Sequence, residues 1–108
     1  MPEKDIESTI YQNDRLYDLD FTLRDSAGVA IDLAGATLLL NVKRKNTAAV
    51  KFRGAMTVDD AASGTCHYTV QATNFDEAGI YETQVEITYE SGTIITVGGY
   101  TLNVKEEI

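Results

Sequence analysis

The chain has 108 residues, 44% apolar and 24% charged, the makeup of one ordinary globular domain and not of a disordered tail. Seventeen acidic against nine basic residues give a net charge of -8, which repels phosphate backbones and anionic lipid, so neither nucleic acid nor a membrane surface is an expected partner. Cys66 is the single cysteine, so no internal disulfide can form, and the longest apolar run, 36–40, is far too short to span a bilayer.

The polar start 1–5 has no signal-like apolar core, and synthesis in a reducing cytoplasm is expected. From Tyr17 to Arg24 apolar residues hold the odd positions and polar ones the even, the mark of a half-buried strand. Asp25, Ser26, Ala27 and Gly28 supply turn chemistry. A short extended piece over 29–33 follows and leads to a turn at Ala34 and Gly35. The next strand runs over 37–45, with Leu38, Leu40 and Val42 on one face and the basic cluster Lys43, Arg44, Lys45 at its end. Two short strands are read over 48–52 and 55–58, separated at Arg53 and Gly54. Cys66, Tyr68 and Val70 alternate with polar residues in a clearer strand, and 72–78 forms a connection with room for one helical turn.

The cleanest strand is 81–89. Tyr81, Thr83, Val85, Ile87 and Tyr89 line one face, and Glu82, Gln84, Glu86 and Thr88 the other. A tight hairpin at Glu90, Ser91 and Gly92 follows. The last stretch is β-branched, and the pair Gly98 and Gly99 predicts a bulge or a switch of sheet before Tyr100, Leu102 and Val104 share a face. The ends, 1–5 and 105–108, are expected to fray. Seven to nine short strands with turn signals between them, and no sustained helical period, predict one all-β antiparallel sandwich over 1–108.

Side chains that carry chemistry are sparse. His67 is the only histidine, and its neighbour Cys66 points to the opposite face of the strand, so the two cannot close on one ion. Asp18 with Asp20, Asp59 with Asp60, and Glu82 with Glu86 read as solvated faces, and Asp59, Asp60 and Asp76 have no EF-hand spacing for calcium. No phosphate-binding glycine motif occurs. No catalytic residue, metal ligand or cofactor site is expected. Lys43, Arg44 and Lys45 read as a charged strand end, with a salt-sensitive contact to an acidic partner as the alternative.

Two segments resemble a known family. The first is Gln12-Asn13-Asp14, then 17–25, then Gly28 and Ile31-Asp32-Leu33-Ala34-Gly35-Ala36-Thr37. The second is Asp76-Glu77-Ala78-Gly79-Ile80-Tyr81-Glu82 followed by Val85 and Ile87. Together they are similar to the N-terminal domain of phage baseplate upper proteins. The resemblance implies an immunoglobulin-like sandwich in a phage or prophage tail or baseplate, docked to other tail proteins and oligomeric in the assembly. It implies location in the virion after synthesis in the bacterial cytoplasm. The Gly79-Ile80-Tyr81 stretch also resembles the tyrosine corner of immunoglobulin-like domains, with Tyr81 as the corner residue. Thr83 stands where an antibody domain carries its second cysteine, and no tryptophan is present.

The alternative function is an adhesion or carbohydrate-binding sandwich of a bacterial surface protein. In either case recognition is expected at an exposed edge. The candidate is the β-branched segment Thr93, Ile94, Ile95, Thr96 and Val97, where Ile94 and Ile95 put apolar groups on both faces.

Overall fold

The computed structural model describes residues 7–47 and 49–106, and of residues 7–9, 99 and 100 the backbone alone. Alternating apolar residues fold into seven strands: β1 (Glu7–Tyr11), β2 (Asp18–Thr22), β3 (Ala36–Arg44), β4 (Val50–Asp60), β5 (Thr65–Thr69), β6 (Gly79–Tyr89) and β7 (Ile94–Lys105). There is no helix among the described residues.

Their spatial order is β1-β7-β6-β3-β4-β5-β2 in one curled sheet. The curl makes two layers because β4 belongs to both. Its first half pairs with β3, Phe52 opposite Val42 and Met56 opposite Leu38; its last residues pair with β5, Thr57 opposite His67. One layer is therefore β1-β7-β6-β3-β4 and the other β4-β5-β2. Set against immunoglobulin-like sandwiches, these are the layer of strands G, F and C and the layer of strands D, E and B, with β4 running through the corner. The pairs are antiparallel apart from β1, which joins β7 in parallel, Glu7 opposite Thr101 and Ile10 opposite Val104.

The inward positions of both layers form one buried cluster. Leu19 and Phe21 of β2 and Cys66 and Tyr68 of β5 face Leu38, Leu40 and Val42 of β3 and Tyr81, Val85 and Ile87 of β6. Burial of such side chains supplies most of the folding free energy. Thr83 is buried among them. Aromatic rings cross the core from layer to layer. Tyr68 and Phe52 stack with centroids 5.6 Å apart, Phe75 meets Phe52 edge-on at 5.3 Å, and Phe75 meets Tyr81 at 5.7 Å.

Three sequence expectations change. The separate strands over 48–52 and 55–58 are one strand, β4. Gly54 does not turn the chain; it lets the Tyr68 ring lie flat against the backbone, where a Cβ would stand 2.2 Å from a ring carbon. The extended piece over 29–33 reaches only an isolated bridge, Arg24 to Ala30. Residues 72–78 hold turns and no helical turn. The glycine pair does accompany a bulge: Thr83 pairs with Tyr100 and Gln84 with Gly98, leaving Gly99 between. Of the ends expected to fray, 1–5, 107 and 108 lie outside the described residues, while Lys105 is the last residue of β7, opposite Tyr11.

Candidate interaction surface

The start of β6 is pinned. Tyr81 is fully buried, and its hydroxyl donates to the Glu77 carbonyl at 2.8 Å, four residues upstream in the backbone. The loop before it is held from three other elements. Gln12 Nε2 donates to the Asp76 carbonyl at 2.8 Å, the Asn13 N–H donates to the Phe75 carbonyl at 2.9 Å, and Arg44 Nη2 donates to the Ala78 carbonyl at 2.8 Å. Lys51 pairs with the Asp76 carboxylate and lies 3.7 Å from that of Glu77. That hydrogen bond holds the Asp76 carboxyl below the ordinary carboxylate range and raises the Lys51 ammonium. Gly79 takes φ +152°, and a Cβ there would stand 2.9 Å from Arg44 Nε, so glycine is what lets the arginine lie over the loop.

The far end of β7 is open. β1 covers only Thr101–Lys105 of it, so among the described residues no strand pairs the outer edge of 94–98. Ile95 stands opposite Ile87 on the core-facing side, yet it is 41% exposed, and Ile94 on the other side is 60% exposed. Thr93 lies just before the strand, where its carbonyl accepts from the Tyr89 N–H at 2.9 Å to close the hairpin. Thr96 is exposed and Val97 half-buried. Ile95 and Val97 floor a groove of about 650 Å³ whose other wall holds Arg24, Ala30 and Ile31.

That second wall was not visible as such in the sequence. It is shaped by two aspartates. Asp25 Oδ1 accepts from the N–H groups of Ala27 and Val29 at 2.9 and 3.0 Å, and Asp32 Oδ1 accepts from that of Ala34 at 2.9 Å. The turn signals at 25–28 and at Ala34 and Gly35 marked the bends but not what they face.

The other edge of the molecule, β2, is paired, among the described residues, only with β5 and carries the exposed Asp18 and Asp20. Charged residues on a free edge discourage strand addition. The β7 edge has no such guard over 94–97.

Cys66 is fully buried, and burial pushes its thiol up to about 12, so it stays protonated. His67 Nδ1 lies 2.7 Å from Asp59 Oδ1 on the outer face of the second layer. Among the described residues no group of three His, Cys, Asp or Glu side chains is arranged to hold a metal ion. The basic cluster ends the first layer: Lys43 pairs with Glu82 at 3.5 Å, Arg44 with Glu77 at 3.8 Å, and Lys45 is exposed.

The strand order and the disulfide-free core define an immunoglobulin-like β-sandwich. The chain belongs to the family of the BppU N-terminal domain, whose model matches residues 2–108. It is thereby assigned to the components of phage baseplates. No curated protein matches it. Among solved structures it is similar to CopC from Methylosinus trichosporium OB3b, with a TM-score of 0.57 at 10% identity over 96% of this chain and 88% of that one. That likeness is one of fold alone. Murine CRIg overlaps with a TM-score of 0.42 at 10% identity over 100% of this chain and 98% of that one.

Proposed function

We propose that the chain is a single, non-catalytic structural domain of a phage or prophage tail baseplate that docks to other tail proteins through the outer edge of β7. Family membership supports the setting. The observation that carries the docking site is Ile95: a core-facing residue, 41% exposed, beside an edge that no described strand covers. An extended partner segment laid along Ile94, Ile95, Thr96 and Val97 would complete the ladder and place an apolar side chain between Ile95 and Ile31. Several copies gather in the assembly, in the virion, after synthesis in the bacterial cytoplasm.

The test is incorporation. Particles from an induced culture are purified, and the tryptic peptide from Asp25 to Lys43 is quantified by mass spectrometry against a major tail protein. Wild type is expected in fixed stoichiometry. Ile95→Lys, whose melting temperature should match wild type because the site is solvent-accessible, is expected to stay in the lysate. Equal incorporation of the variant would remove the β7 edge from the proposal. Absence of wild type from the particles would remove the structural role.

A further inference from the structure

Charge in this domain is sorted along one strand. The window 43–53 holds Lys43, Arg44, Lys45, Lys51 and Arg53 and no carboxylate; the rest of the chain has four basic residues against seventeen acidic. This window is the β3–β4 hairpin. Lys45 and Arg53 are exposed and, among the described residues, make no ion pair. The other end of β4 finishes in Asp59 and Asp60, which join Asp18 and Asp20 of β2 on the outer face of the second layer. The strand residues of that layer, 18–22, 57–60 and 65–69, include no lysine or arginine.

Asp59 lies eight positions after Lys51, roughly 26 Å along an extended strand, so the two ends cannot satisfy each other within one molecule. Two molecules can. We propose that the basic β3–β4 hairpin of one copy docks on the acidic outer face of the β2–β5–β4 layer of a second copy. The contact is heterologous, so repetition gives a ring if the rotation closes and a row if it does not. Single exposed ion pairs contribute little, and the contact depends on the array and on the high effective concentration of copies held in one assembly. The net charge of -8 opposes it at long range. At about 0.1 M ionic strength, with a Debye length of ~10 Å, repulsion across the whole molecule is screened while attraction at the patch survives; at about 1 M, ~3 Å, both are lost. The inference rests on the reading of several copies per assembly but not on the β7 edge.

Sedimentation of the full chain at roughly millimolar concentration, the effective range for linked copies, tests it. Wild type is expected to gain mass with concentration at about 0.1 M salt and to fall to monomer at about 1 M. The variant Lys45→Gln/Arg53→Gln and the variant Asp18→Asn/Asp20→Asn, neutral so that mixing them creates no reversed contact, should each be monomeric at both salts, with circular dichroism unchanged. Their equimolar mixture is the decisive sample. One supplies an intact acidic face and the other an intact basic hairpin, so a dimer and nothing larger should form. A monomeric wild type, a variant that associates as wild type does, or a mixture that stays monomeric would each overturn the proposal. Ile95→Lys should associate like wild type, which separates this contact from the docking edge.

Discussion

The two ends of β6 solve opposite problems. At its start, Tyr81 is fully buried, its hydroxyl is bonded to Glu77, and the loop over it is tied to β3, β4 and the segment after β1. Beyond its other end, Ile95 faces the core and is still 41% exposed. Around the open groove the Tyr89 hydroxyl, which donates to the Asp32 carbonyl at 2.7 Å, ties the strand to the 24–32 wall. A satisfied buried polar group specifies one arrangement of the chain. An exposed apolar edge specifies nothing until something covers it. The closed end carries fold stability, and the open end is where binding is cheap to add.

The largest expected effect is at the closed end. Tyr81→Ala removes a fully buried ring and its hydrogen bond, and denaturant unfolding should show a loss of about 3–5 kcal/mol. Gly54→Ala comes next. Its Cβ would enter the ring of Tyr68, whose hydroxyl is fixed to Asn74 at 2.7 Å, so the ring cannot simply swing away; the expected loss is about 1–3 kcal/mol. A loss under about 0.5 kcal/mol would mean that the Phe52–Tyr68 stack is softer than its geometry implies.

A pair of Tyr→Phe changes sharpens the comparison because the signs should differ. Tyr81→Phe strands the Glu77 carbonyl and should cost about 1 kcal/mol. Among the described residues, the hydroxyl of Tyr17 is the one buried side-chain polar atom without a hydrogen-bond partner, and burial, helped by Asp14, pushes it up to about 12. Tyr17→Phe removes that unmet group and should stabilise by up to about 1 kcal/mol. Two thermal melts decide it. A loss at both positions would show that Tyr17 is satisfied by solvent.

Period-2 alternation in β2, β3, β5 and β6 was legible because each strand has one face in the core and one in water. What escaped had no local signal. β1 has its place because β7 lies beside it, a pairing of residues about ninety positions apart. Gly54 looked like punctuation because its requirement comes from Tyr68, fourteen residues on. The acidic face was legible only as pairs in sequence. Asp59 meets His67, and Asp20 stands opposite His67, only through the ladder of β4, β5 and β2.

That ladder gives the smallest effect and the one most open to a sign error. His67 sits on β5 between Asp59 of β4 and the two aspartates of β2, Asp20 directly opposite and Asp18 opposite Thr69. The hydrogen bond to Asp59 raises its folded pKa first, and the charges of Asp59, Asp18 and Asp20 add to it. The folded state therefore binds the proton more tightly than the unfolded chain. The added stability is full below the unfolded value of about 6.5 and is lost as pH rises through the higher folded one. Asp76 at the closed end runs the other way: its pKa is lowered by Lys51, so its contribution is full above the ordinary carboxylate value and is lost as pH falls through the lowered one. Stability should thus soften from different ends of the molecule at the two extremes. Both groups are solvent-screened, so the effects are small and salt should shrink them. Proton NMR of the single imidazole is the direct reading: it should titrate above its ordinary value, and Asp59→Asn should bring it down. Were the wild-type ring to titrate at or below about 6.5, the Asp59 contact would not persist in solution, and the acidic face would have no internal counter-charge of its own.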